Sequence, residues 1–271
     1  MRLLSVLLIL GFLAACGSSS STGSDDDRAT IASETTYSLD IDDYQAGLAI
    51  PDNQSSQHYK VLMFGNSHLI GIPDVLKLLV DSALPGKSIE VSTARGNDYL
   101  AERLRDGHSV NLLLGENWTH LILQAQKYSQ SGSIEYPTDA AQTFIRMAKS
   151  DNVTPVLFPE HPQYGKTTEG ERVHNIHQSI VELEASCLAP VGLTWDNVNQ
   201  IAPSLKLHNT DGNHAAKLGT LLTSLVIYQT ITGESADLVP YIDALDVDEA
   251  TQDLLGQIAS HTVLAFPPCN Y

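Results

Sequence analysis

Tyr59-Lys60-Val61-Leu62-Met63-Phe64, followed at once by Gly65-Asn66-Ser67-His68, is the stretch on which the fold turns. The first part is an apolar run of strand length, and Gly65 ends it. Working outward, residues 73–83 (PDVLKLLVDSA) put Val75, Leu76, Leu79 and Val80 on one helical face, with a proline near the start. Residues 88–93 (SIEVST) alternate like a strand and stop at Gly96. The pattern then repeats. Residues 99–114 read as a helix, 119–123 (THLIL) as a strand, 139–149 as a helix, 154–158 (TPVLF) as a strand and 172–188 as a helix. A fifth strand is expected at 190–195 (PVGLTW), then long helices at 215–232 and 246–259. Repeated strand–helix alternation predicts an α/β fold, a three-layer α/β/α sandwich around a mainly parallel five-stranded sheet. The continuous apolar character of several strands agrees, because helices then cover both faces.

In such a sheet, active groups collect at the carboxyl ends of the strands. Gly65-Asn66-Ser67-His68 follows the first strand and Gly96-Asn97 the second. Gln124-Ala125-Gln126 follows the third and Glu160-His161 the fourth. Asp211-Gly212-Asn213-His214 lies beyond the fifth. A serine, amides, glycines and an Asp/His pair on one edge are the parts of an acyl-transfer site. Ser67 needs a base to take its proton, and His214 is the candidate. Asp211 is placed to hold the imidazole in the required tautomer. Taken singly, each motif also reads as a turn: Asp-Gly-Asn as a loop capping the next helix, Gly96-Asn97-Asp98 as a tight bend.

The spaced blocks resemble the SGNH (GDSL-type) hydrolases. Phe64-Gly65-Asn66-Ser67-His68 resembles the first block, Gly96 the oxyanion glycine of the second, and Asp211-Gly212-Asn213-His214 with Leu218-Gly219 the Asp-x-x-His block. The resemblance covers residues 60–232 and implies a flavodoxin-like fold, no cofactor and no metal. It implies a triad of Ser67, His214 and Asp211, and an oxyanion hole of Ser67, Gly96 and a side-chain amide. The third block departs from the family's Gly-x-Asn: Gln126 falls at the asparagine position, with Gln124 as the alternative. The implied activity is ester hydrolysis. The substrates would be small acyl, carbohydrate or lipid esters.

Composition and termini set the address. A net charge of −17 excludes a basic nucleic-acid footprint and a polybasic membrane patch. Near the start, Arg2 precedes an apolar run from Leu3 to Leu13, short of the about 20 residues that span a bilayer. With the small residues after it, this reads as a signal peptide over 1–15. Leu13-Ala14-Ala15-Cys16 resembles the lipobox of bacterial lipoproteins, which makes Cys16 the lipidation site. Ser/Gly-rich and acidic sequence then suggests a flexible tether over 16–57 and a single domain over 58–271. The expected location is the bacterial cell envelope, outer membrane or periplasmic face, with membrane contact through the lipid alone. Cys187 and Cys269 either pair as a disulfide, which an exported protein would keep, or remain buried thiols.

Two other functions fit less of the sequence. The departing third block is what a non-catalytic glycan- or partner-binding module with a degraded oxyanion hole would show. His174 and His177, one helical turn apart, would serve a metal-assisted hydrolase, but their spacing also suits a solvated helix face and no third ligand accompanies them. His68 is expected to shape the pocket without a catalytic role.

Overall fold

The computed structural model describes residues 41–271. The expected signal peptide, Cys16 and most of the expected tether lie outside the described residues. Five parallel strands form one sheet in the order β2-β1-β3-β4-β5, where β1 is His58–Phe64, β2 Ser88–Thr93, β3 His120–Leu123, β4 Thr154–Leu157 and β5 Cys187–Leu188. Register runs Val61 opposite both Val91 and His120, then His120 opposite Thr154 and Val156 opposite Cys187.

The period of two along β1 separates the two cores. Tyr59, Val61 and Met63 face one cluster, packed by α1 (Ile72–Ala83), α6 (Val191–Ile201), α7 (Lys217–Thr232) and α8 (Glu249–Ala265). Leu62 and Phe64 face the other, packed by α2 (Leu100–Asp106), α3 (His108–Leu114), α4 (Asp139–Ser150) and Ile180 of α5 (Glu169–Leu183). Helices on both faces are the reason the central strands are apolar throughout.

Three expectations are corrected. The fifth strand is Cys187–Leu188, and residues 191–201 form α6 instead. Pro190 can end a strand ladder but opens a helix freely, since a helix's first N–H groups need no partner. The helix expected over 99–114 is two helices, broken at Gly107 with φ +69°. The expected tether ends well before residue 57. Ile50 is buried with the core, and Asn53 Nδ2 donates to Thr119 O, Asn152 O and Thr154 Oγ1, each at 3.0 Å. A segment with that many fixed polar groups belongs to the domain.

The order β2-β1-β3 reverses direction at β1, which makes the carboxyl ends of β1 and β3 the switch point where ligands gather in such sheets. Ser67 stands in the turn directly after β1.

Candidate active site

Gly65 lets the chain pass beneath the site. A Cβ there would sit 2.5 Å from Gln124 Oε1 and 2.6 Å from Leu69 Cδ1. Asn66 then caps the short 3₁₀ turn Ser67–Leu69, its Oδ1 accepting the His68 N–H at 3.0 Å. That turn presents Ser67, half-buried, with its Oγ 2.8 Å from His214 Nε2.

Its partner loop folds on local chemistry. Asp211 Oδ1 accepts the N–H groups of Asn213 (2.9 Å) and His214 (3.0 Å), and Gly212 takes φ +70°. Asn209 N–H donates to His214 O and Ala216 N–H to Leu207 O, both at 2.8 Å, which closes the loop. The second carboxylate oxygen, Asp211 Oδ2, lies 2.7 Å from His214 Nδ1. With Nδ1–H given to Asp211, Nε2 is left to accept the Ser67 hydroxyl. The imidazole bond first, and the two backbone N–H groups next, hold the Asp211 carboxyl well below the usual carboxylate range. It is therefore charged at any pH where an esterase works.

On the other side of the nucleophile, the N–H groups of Ser67 and Gly96 donate to no described residue. Gly96 has φ +85°, and a Cβ there would meet Asp98 Oδ2 at 2.2 Å, so the turn after β2 requires glycine. The third-block glutamines are arranged differently from expectation. Gln126 Nε2 donates to Lys127 O and Pro137 O, both at 3.1 Å, and so spends its amide closing the loop before α4. The cause is Ala125, which takes φ +72° and turns the chain at the end of β3. Gln124 and Gln126, neighbours on one face of a regular strand, therefore part company. Gln124 points under the nucleophile turn: its Oε1 accepts the Asn66 N–H at 2.8 Å and its Nε2 donates to Glu160 Oε2 at 2.8 Å.

Residues to which the sequence reading gave no catalytic role surround this arrangement. Glu160, after β4, also lies 3.9 Å from His68 Nε2. Burial pushes the His68 imidazole below its ordinary value. His161 stacks on Trp195 and bonds the loop that carries His214. Arg103, fully buried in α2, bonds the carbonyls behind both turns. Its one sequence signal is a charge three residues after Leu100, on the buried face of the helix.

The cysteine and helix-histidine expectations meet the structure as follows. Cys187 and Cys269 form a disulfide. His174 and His177 are buried rather than solvated, and His177 Nδ1–H donates to Val173 O at 2.8 Å. No group of three or more His, Cys, Asp or Glu side chains among the described residues is arranged to hold a metal.

No protein-family model matches the chain, and no curated protein matches it either. Solved structures do. A DUF4886 family protein from Bacteroides uniformis superposes with TM-score 0.61 at 12% identity, over 78% of this chain and 96% of that one. The psychrotrophic esterase EstA from Pseudoalteromonas gives TM-score 0.48 at 15% identity, over 64% and 97%. A lipase/acylhydrolase from Enterococcus faecalis gives 0.48 at 15%, over 65% and 96%. The first of these superpositions establishes a shared α/β fold with a parallel sheet; at such identity the likeness is one of fold.

Proposed function

We propose that the chain is a serine esterase of the SGNH type, exported and lipid-anchored at Cys16, that hydrolyses O-acyl esters through an acyl-enzyme. One observation carries the activity: Ser67 Oγ, His214 and Asp211 form a continuous array, with 2.8 Å and 2.7 Å between their polar atoms. In the first step His214 Nε2 takes the Ser67 proton as Oγ attacks the acyl carbon. The free N–H groups of Ser67 and Gly96 are the donors for the tetrahedral oxyanion. Collapse breaks the ester C–O bond, and the leaving alkoxide takes the proton from His214. Water, deprotonated by His214, then attacks the acyl-enzyme; the acid leaves and Ser67 regains its proton. Throughout, the Asp211 carboxylate stabilises the imidazolium.

The alcohol side of the substrate has a candidate place. A cleft of about 340 Å³ opens beside the loop that carries Asp211 and His214. Tyr164, Asp196, Asn199, Gln200 and His208 are among its walls, and Tyr164 N–H donates to Gly212 O at 2.8 Å. An exposed aromatic ring among amides and a carboxyl suits a hydroxylated leaving group such as a sugar better than a hydrocarbon chain.

The second reading, a glycan- or partner-binding module without catalysis, draws support from the engaged glutamine amides, which leave two backbone donors in the hole. Fluorophosphonate labelling with mapping of the adduct, alongside turnover of p-nitrophenyl acetate, separates the two. An adduct on Ser67 and turnover lost in Ser67→Ala support the esterase; an unlabelled, inert wild type supports the module. Anchoring is tested by detergent-phase partitioning of the full-length protein, lost in Cys16→Ala; a mature N-terminus other than Cys16 refutes it.

A further inference from the structure

The peptide group joining Gly65 to Asn66 stands immediately before the nucleophile, and both of its polar ends are held. Its carbonyl oxygen accepts from Arg103 Nη2 at 2.6 Å, and its N–H donates to Gln124 Oε1 at 2.8 Å. The Gln124 amide is kept from turning over by Glu160, which accepts from its Nε2 at 2.8 Å. The same Arg103 Nη2 also reaches Gly96 O at 2.9 Å, while Nη1 donates to Arg95 O at 3.0 Å and to Ser109 Oγ at 3.3 Å. A single guanidinium nitrogen thus bridges the turn after β1 and the turn after β2.

Burying a guanidinium carries a large desolvation cost. Arg103 is 0% exposed, and its partners are carbonyls and a hydroxyl instead of a carboxylate. A charge in that position would be a poor choice for packing α2 alone, because Leu100 beside it on the buried face does so without one. What the guanidinium supplies, and an apolar residue cannot, is a rigid fork of donors. That fork locks two backbone turns together.

We infer that Arg103, together with the Gln124–Glu160 pair at the other end of the same peptide, positions the oxyanion hole: Arg103 joins Gly65 O to the carbonyls of Arg95 and Gly96 while Gln124 holds the Asn66 N–H, and this clamp fixes the Ser67 and Gly96 N–H groups relative to one another before substrate arrives. The inference rests on the esterase reading of Ser67. Preorganised donors act on the transition state more than on bound ester, so their disorder should appear in kcat and not in KM.

The test is steady-state turnover of p-nitrophenyl acetate across pH by full-length wild type, Arg103→Lys and Glu160→Gln, with thermal unfolding of each. Lysine keeps the charge but reaches fewer carbonyls at once. We expect kcat in Arg103→Lys to fall by roughly 10²-fold, the scale of a misplaced catalytic array, with KM changed by less than about twofold. The pH limbs of kcat/KM should stay in place, because the Ser67–His214–Asp211 array is untouched. Inhibition by phenylboronic acid, a tetrahedral mimic, should weaken by the same factor as kcat. Retention of wild-type kcat, a loss confined to KM, or displaced pH limbs would each overturn the inference. Should Arg103→Lys fail to unfold cooperatively, Glu160→Gln decides. It frees the Gln124 amide to turn, so kcat should drop at constant KM; wild-type kcat there overturns the clamp. An inert wild type with Ser67 unlabelled is a different result and removes the esterase reading itself.

Discussion

The imidazole of His161 lies parallel to the indole of Trp195, with ring centroids 3.9 Å apart and planes 8° apart, and its Nε2–H donates to Asn213 O at 2.9 Å. Burial pushes the His161 pKa down to about 3, so the ring is neutral at working pH and adds no charge beside His214. The stack gives the ring its place, and the hydrogen bond passes that placement to the loop that carries the base. His161→Phe keeps the stack and removes the bond. A net hydrogen bond contributes about 1 kcal/mol, so stability should fall by that amount in a urea titration. If the looser loop costs the transition state as much, kcat falls about fivefold. An unchanged kcat would show that Asp211 holds His214 without help.

The two glutamines after β3 should separate cleanly. Gln126→Ala removes the amide that ties Lys127 O and Pro137 O, and the loop before α4 should loosen. The expected cost is about 1 kcal/mol of stability, with kcat changed by less than about threefold. Gln124→Ala instead strips the Asn66 N–H of its acceptor and Glu160 of a donor. It should lower kcat by at least tenfold at nearly constant KM, on the scale of lost oxyanion preorganisation. The reverse ranking would mean that Gln126 reaches the oxyanion after all.

The C-terminal tail depends on one covalent bond. Cys269 bonds Cys187 of β5 across 82 positions of sequence, and the neighbouring Pro268 O accepts the Leu188 N–H at 2.7 Å. The tail thereby supplies an acceptor to the otherwise unpaired edge of a two-residue strand. Closing so long a loop stabilises mainly by restricting the unfolded chain, typically by about 2–4 kcal/mol. Cys269→Ser, or reduction of the wild type, should lower the unfolding midpoint accordingly. A midpoint insensitive to reductant would mean that the tail contributes nothing beyond its hydrogen bond.

What could be read beforehand follows from what local sequence encodes. The runs around Val61, Ile122 and Val156 are apolar because helices cover both sheet faces, so strands and their terminal loops were visible, and with them Ser67 and the Asp211–His214 pair. Cys187–Leu188 was not, because two residues carry no period and the apolar PVGLTW beside them has the composition of either element. Ala125 hid the fate of Gln126, since nothing in the sequence marks an alanine as left-handed. Arg103 and Glu160 act through partners 38 and 36 residues away, a kind of pairing that leaves only a misplaced charge as its trace.

Acid should destabilise the protein through its buried histidines as pH falls below about 6.5, with Asp196, whose carboxyl burial pushes up to about 6, taking up a proton in the folded state and offsetting part of the loss. Desolvation lowers the pKa of His120 and His161 to about 3 and of His177 to about 4. An unfolded histidine titrates near 6.5. For these groups the folded value lies below the unfolded one, so at pH values between the two the unfolded chain binds protons that the folded one refuses. The unfolded state therefore gains as pH falls from about 6.5 toward about 4, by about 1.4 kcal/mol per pH unit for each histidine. Urea midpoints measured at pH 7, 6, 5 and 4.5 should decline steeply over that range. His177 is the cleanest probe: it is buried in α5, and its Nε2 has no hydrogen-bond partner among the described residues. His177→Leu should cost little at pH 5 relative to pH 7, because it removes one of the proton acceptors that the unfolded chain gains. If the variant and the wild type decline in parallel, His177 is not held neutral by burial, and the acid sensitivity has to be sought in the other buried histidines, His68, His120, His161 and His174.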